Sequence, residues 1–504
     1  MTSDHSDRTS SDASTATTNS YAGPAAGTTA ATSRSRAAGT TAATSTSPAA
    51  RTAAASSDAS TAGTTQIFYA STLYGAATLA AAVDSGCFRP AGRRLLLVST
   101  NAAVPETTTP LDRMPGFERL RGRFDEVLDW NAVIEPLHPA GWTPRPDDLP
   151  LLQRHLRRLW GLGADRIELA VESLQVAPAL TIAQLFPDAP VDVYADGLMS
   201  YGPTRNKIDP LVGERVRRLL HLDLVPGLAP LLLAEFGAVA ETVPTEAFTK
   251  VVEELSGPAP AEPAAAEAPV LLLGQYLAAL GLLTPEEEGE LHLRMVRGAV
   301  ARGHRRLVFK PHPTAPDAWS KALVREAEAL GAELTVLDRP VLAEVLYREL
   351  RPALVVGCFS TALFTASAFY GIETARVGTR PLVARLSPYQ NSNRVPVALV
   401  DALVPDLEAA GQETAGRRPP DVAELGGLVA AVGYAMQPKI RPDLRDAAVR
   451  HLSGPLAAAT RHHFTRRRLT SLGLPGGLPV PRHPGLRRLA RRALKLKRRA
   501  LGGK

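Results

Sequence analysis

The sequence predicts an α/β protein built from two Rossmann-like domains whose parallel sheets face a cleft. Three observations lead there. Short apolar runs alternate with helical patterns twice over, from residue 66 to about 194 and again from 270 to 370, and strands alternating with helices argue for parallel, doubly wound sheets. Between the two series lies a stretch rich in Pro, Ala and Glu at 256–268 that reads as a linker. The chain is also long enough, at 504 residues, for two or three domains.

In chain order, residues 1–65 are low-complexity Ser/Thr/Ala sequence in which the nonapeptide at 25–33 recurs at 37–45. No core can form from it, so disorder is expected. The N-terminal domain, 66–255, opens with a strand at 66–70. Ser71 and Thr72 follow at the mouth of a helix over 76–83, where capping is the simplest role and ligand contact a second. Strand 94–98, helix 151–162, strand 166–171, helix 179–186 and strand 191–194 continue the rhythm. The second domain, 269–440, restarts it with strand 270–273, the loop Gly274-Gln275-Tyr276, helix 285–302 and strand 307–309. Helix 318–330, strand 333–337, helix 341–348, strand 354–356 and helix 362–370 complete it. Two such halves joined by a linker are a GT-B arrangement. Residues 441–504 form a basic tail.

Composition excludes several classes. Hydrophobic residues make up 45% of the chain, as in an ordinary globular protein. Cys87 and Cys358 give neither a metal pattern nor a disulfide framework and suit a reducing, cytoplasmic setting. No signal peptide and no run of about twenty apolar residues is visible. Charge is uneven: residues 447–504 carry fifteen Lys and Arg and no acid, leaving −8 for the rest of a chain whose total is +7. Within that tail Leu486, Leu489, Leu494 and Leu501 fall at helical spacing with Arg and Lys between them. A cationic amphipathic helix suits an anionic membrane surface, peripheral on its inner face. No aromatic residue follows Phe464, which argues against nucleic acid.

Two turns carry chemistry. Leu307-Val308-Phe309 runs into Lys310-Pro311-His312-Pro313, where the prolines end the ladder and hold an imidazole beside a cation. Fifty residues on, Gly357-Cys358-Phe359-Ser360-Thr361 joins a strand to a helix. Glycine allows close approach there, and two hydroxyls stand at a helix N-terminus. Each alone is an ordinary turn or cap. Together they read as a phosphate site at strand ends, where open α/β sheets bind ligands.

With Ala195-Asp196-Gly197, His312-Pro313 and Ser360-Thr361 in this order, residues 66–410 resemble the bacterial sialyltransferases, most closely the alpha-2,8-polysialyltransferase family. The resemblance implies an inverting transferase of surface polysaccharide that moves sialic acid from CMP-sialic acid to a glycan hydroxyl with neither metal nor cofactor. It implies that His312, Ser360 and Thr361 hold the CMP phosphate, with Lys310 beside them and Gly274 and Gln275 at the neighbouring loop. Glu344 resembles the glutamate that holds the ribose. The family places two acids before its glycine, and this chain has Ala195 in the first place, which leaves Asp196 as the expected base. Asp192 precedes the turn and is a poorer candidate. Arg205 and Lys207 are candidates to meet an anionic acceptor, or to stand in a solvated loop. A CDP-glycerol glycerophosphotransferase, which also ejects CMP, and a non-catalytic nucleotide- or glycan-binding protein are the alternative readings.

Overall fold

Apolar alternation in Thr64–Ala70 (β1) puts Phe68 and Ala70 into one buried cluster and Ile67 and Tyr69 into another. A strand buried on both faces belongs in the middle of a parallel sheet, and β1 lies there. The structure, a computed structural model, describes residues 63–478 apart from 196, 258–267, 276, 313–316, 338 and 410–417. Residues 1–62 of the low-complexity segment, most of the linker, Asp196 and the amphipathic stretch beyond 478 therefore lie outside the described residues, while Thr64 and Thr65, read with that segment, begin β1.

The N-terminal sheet adds Arg93–Val98 (β2), Glu126–Asp129 (β3), Arg166–Glu172 (β4), Val191–Ala195 (β5), Val216–Leu222 (β6) and Val239–Val243 (β7). Its order is β3-β2-β1-β4-β5-β6-β7, parallel throughout. The second sheet takes Val270–Leu273 (β8), Arg306–Lys310 (β9), Glu333–Val336 (β10), Leu354–Gly357 (β11) and Glu373–Arg376 (β12) in the order β10-β9-β8-β11-β12, again parallel. In each sheet the chain winds outward in one direction and then in the other. The point of reversal falls between β1 and β4 in the first sheet and between β8 and β11 in the second.

Four strands, β3, β6, β7 and β12, are absent from the sequence pattern. Arg217 and Arg218 interrupt the apolar run of β6, because both reach across to Asp192 on β5. Arg217 Nε is 2.9 Å from Asp192 Oδ1 and Arg218 Nη2 is 3.0 Å from Oδ2. Asp192 is 1% exposed, so its carboxylate is spent on these ion pairs and has no access to a ligand.

One apolar cluster runs through both domains. The helix Thr245–Ser256 packs on Leu73–Asp84 of the first domain and on Ala343–Leu350 of the second. Phe248 sits 5.2 Å from the Tyr74 ring and 5.9 Å from that of Phe369. The end of the chain crosses back as well. Helix Val422–Met436, opened by a capping box of Asp421 and Glu424, packs Gly433 against Leu231 and Pro203. Just beyond it, Gln437 donates to the Arg205 carbonyl and Arg441 to that of Leu231.

Residues 441–478 are not the basic tail that charge alone suggests. They form helices Arg445–Ser453 and Arg466–Leu472 on the body, with Leu452, Phe464, Leu469 and Leu474 buried. Arginines here lay their stems along protein surface. Arg468 lies over the Tyr389 ring at 5.1 Å and donates to the Ala435 carbonyl at 2.7 Å. Among the described residues no helix is long and apolar enough to cross a membrane.

Candidate active site

At the reversal point of the second sheet, the loops leaving β8 and β11 are tied together. Gln275 Oε1 accepts from the backbone N–H of Cys358 at 3.2 Å and of Phe359 at 2.7 Å. Gln275 thus braces the Gly357–Thr361 turn. Gly274 N–H donates to the Lys310 carbonyl at 2.9 Å. A Cβ on Gly274 would stand 3.1 Å from Phe309 and 3.3 Å from that carbonyl, so glycine is what lets β9 end tight against this loop. Ser360 Oγ accepts from Ala362 N–H at 3.2 Å, at the start of helix Ala362–Tyr370.

Lys310, the last residue of β9, is half-buried, and burial holds its pKa below the ordinary value although Glu344 opposes this. Glu344 is 2% exposed and accepts from Thr365 Oγ1 at 2.6 Å. Burial raises its pKa against the pull of Thr365 and Lys310. Its carboxylate is thus buried against Thr365, with the Lys310 charge near enough to act on it. His312 stands at the rim with its side chain exposed. The surrounding protein and the Lys310 charge still push its pKa down, so the imidazole is neutral at pH 7.

At the reversal point of the first sheet, Ser71 and Thr72 leave β1 and Glu172 ends β4. Thr72 Oγ1 accepts from Gly75 N–H at 2.9 Å and so caps helix Leu73–Asp84. Ser71 donates its hydroxyl to Glu172 Oε1 and its N–H, at 3.4 Å, to Oε2. The Tyr194 hydroxyl is 3.2 Å from Glu172 Oε2 and 3.0 Å from the Tyr69 carbonyl. These groups border a cavity of about 250 Å³ whose wall also includes Ala195, Gly197, Arg205 and, from the returning chain, Ser392 and Met436. Arg205 is in the wall, while Lys207 is exposed and outside it.

The two edges meet at Gly197. A Cβ there would lie 2.8 Å from Thr361 Oγ1, and Leu198 N–H donates to that same oxygen at 3.3 Å. The Gly of the first turn and the Thr of the last therefore touch across the domain boundary. The structure brings Gly274, Gln275, Lys310, His312, Ser360 and Thr361 to one edge and Ser71, Thr72 and Arg205 to the other. Glu172 is the residue missed in the sequence. Its signal is a carboxylate one position past an apolar run, visible only once β4 is known to lie beside β1.

Two parallel α/β sheets that meet edge to edge are a GT-B fold, which glycosyltransferases share. The chain belongs to the alpha-2,8-polysialyltransferase (POLYST) family, whose model matches residues 66–379 and so spans both sheets. No curated protein matches it. Solved structures similar to it include MurG of Acinetobacter baumannii, at 12% identity over 79% of this chain and 98% of that one, TM-score 0.35. The O-GlcNAc transferase of Thermobaculum terrenum is similar at 15% identity over 82% and 70%, TM-score 0.32. An alpha/beta-galactoside alpha-2,3-sialyltransferase of Photobacterium phosphoreum is similar at 10% identity over 62% and 91%, TM-score 0.33.

Proposed function

We propose that the chain transfers sialic acid from CMP-sialic acid to a hydroxyl of a glycan acceptor, with inversion at the anomeric carbon. What supports this is the tie between the loops after β8, β9 and β11, where Gly274 N–H meets the Lys310 carbonyl and Gln275 meets the turn that leads to Ser360 and Thr361, in a member of a polysialyltransferase family. As the glycosidic bond to phosphate breaks, negative charge grows on the departing CMP, and donors fixed in advance around that position lower the barrier. Lys310 supplies charge, His312 a neutral N–H donor, and Ser360 and Thr361 hydroxyls at a helix N-terminus. Gln275 and Gly274 keep this edge in place. The acceptor binds across the cleft, with Arg205 for an anionic group. Its hydroxyl gives its proton to a carboxylate at the edge of the first sheet, where the motif contributes Asp196 and β4 contributes Glu172.

The test is product analysis with purified protein and a glycan acceptor. CMP should be released from CMP-sialic acid and not from CDP-glycerol, and NMR of the product should show the inverted anomer. Release from CDP-glycerol alone would transfer the phosphate site to a glycerophosphotransferase, and release from neither would leave a binding protein.

The basic stretch 482–504 is proposed to hold this cytoplasmic enzyme on an anionic membrane face. Each Lys or Arg near such a surface contributes about 1 kcal/mol. Removing 482–504 should abolish sedimentation with phosphatidylserine vesicles at low salt while transfer to a soluble acceptor continues. Binding that ignores salt would exclude the electrostatic mode.

A further inference from the structure

The motif that should furnish the acceptor-side acid has an alanine in its first position, and Ala195 lines the cavity wall without any proton acceptor on its side chain. A carboxylate from the next strand stands in that same wall. β4 pairs β5 in parallel with Glu172 opposite Tyr194, one residue before Ala195. It is β4 and β1, not β5, that border the reversal point of the sheet, and in open α/β sheets that is where ligands enter.

Glu172 is also built in. Both its oxygens accept from Ser71, Oε1 from the hydroxyl and Oε2 from the N–H, and Tyr194 reaches Oε2 from the side. Ser71 donating to both oxygens holds the carboxylate in one direction, with the Tyr194 hydroxyl beside it. Below it, Gly75 in the first turn of helix Leu73–Asp84 carries no side chain. A Cβ there would sit 2.9 Å from the Tyr194 hydroxyl and 3.4 Å from Glu172 Oε2. The next residue, Ser173, holds a left-handed φ of 40° and also lines the cavity. A non-glycine residue in that region costs of order 1–3 kcal/mol and persists where the surroundings impose it.

We infer that Glu172 is the general base that deprotonates the acceptor hydroxyl, supplying from β4 the carboxylate that Ala195 does not. The inference rests on the transfer reaction proposed above. The acceptor O–H proton passes to Glu172 and the oxygen forms a bond to the anomeric carbon of the donor. The bond from that carbon to the phosphate oxygen breaks, and CMP leaves with the electron pair. Ser71 and Tyr194 are positioning residues that aim the carboxylate, and Arg205 in the same wall suits an acceptor bearing a carboxylate of its own.

The experiment measures transfer from CMP-sialic acid to a glycan acceptor by the full chain carrying Glu172→Gln, Glu172→Ala, Ser71→Ala or Asp196→Asn. Calorimetric CMP binding and thermal melting run alongside. Glu172→Gln should lower kcat by about 10² to 10⁴, the range for losing a positioned base, with CMP affinity unchanged. Formate should restore part of the rate to Glu172→Ala, a readout that a merely structural glutamate would not give. Ser71→Ala removes a donor that favours the charged carboxylate, so the acid limb of its kcat/KM profile should move to higher pH. This variant keeps the test open even where Glu172 substitutions melt early. A Glu172→Gln rate within threefold of wild type overturns the assignment. So does a loss confined to Asp196→Asn, which would return the base to the motif. Failure of wild-type protein to release CMP from CMP-sialic acid would instead overturn the donor reading, and with it the reaction this base serves.

Discussion

Replacing His312 by alanine is expected to cut turnover by roughly 10² to 10³, the usual loss when one preorganised donor to a developing anion is removed. Its side chain is exposed, so the change should cost no more than about 1 kcal/mol of stability. Initial rates of sialyl transfer and a melting curve separate the two effects. The ring is already neutral at pH 7, because partial loss of hydration against the surrounding protein and the Lys310 charge hold its pKa down. Raising the pH from 7 to 8 should therefore cost nothing through this residue. Wild-type turnover in a folded His312→Ala protein would show that the leaving phosphate lies elsewhere.

The largest stability effect is expected at Asp401, in helix Arg394–Leu403. Its side chain is 3% exposed and gathers four partners. Arg376 Nη2 lies 2.9 Å from Oδ1 and Arg380 Nε 3.3 Å, while His462 Nε2 is 2.6 Å from Oδ2 and His463 Nε2 3.4 Å. Asp401→Asn takes the charge from beneath Arg376, itself 4% exposed, and unpairing a buried ion costs about 3–5 kcal/mol. Asp406 still pairs with Arg376 at 2.9 Å, so the lower part of that range is expected in urea unfolding. Burial by itself would raise the Asp401 pKa, but His462, His463 and Arg376 outweigh it and hold the carboxyl well below its ordinary range. A carboxyl whose folded pKa is depressed stabilises above its unfolded value, about 3.9, and loses that contribution as pH falls through the folded value. The variant should lack this part of the acid destabilisation. A difference under 1 kcal/mol at pH 7 would mean that the two arginines do not depend on Asp401.

How far the sequence could be read depended on what ended each element. Lys310 and His312 were legible because Pro311 closes the apolar run of β9, and Ser360 and Thr361 because Gly357 closes β11. Strand order left no such mark. Glu172 follows Val171 as an ordinary charged residue after an apolar run, and nothing local says that β4 returns to lie beside β1. The strand β6 was hidden for a related reason. Its arginines look like solvated side chains until Asp192 on the neighbouring strand is seen between them. Charge misled at the other end of the chain, where the basic residues among 441–478 obscured Leu452, Phe464 and Leu469, which seat that segment on the body. Glu344 was legible as an acid near the donor edge, but only packing shows it buried against Thr365.

The return of helix Val422–Met436 to the first domain bears on how such an enzyme could be recombined. The proposed leaving-group site belongs to one sheet and the proposed acceptor site to the other, so the linker is the obvious place to cut a hybrid of two relatives. Such a cut would separate Gly433 from Leu231 and Pro203, and Gln437 from the Arg205 carbonyl. The wall of the cavity beside Glu172 would also lose Met436. The unit of exchange is therefore discontinuous: to carry acceptor choice from one parent to another, the first sheet must travel with a piece of chain that begins about 150 residues after the linker.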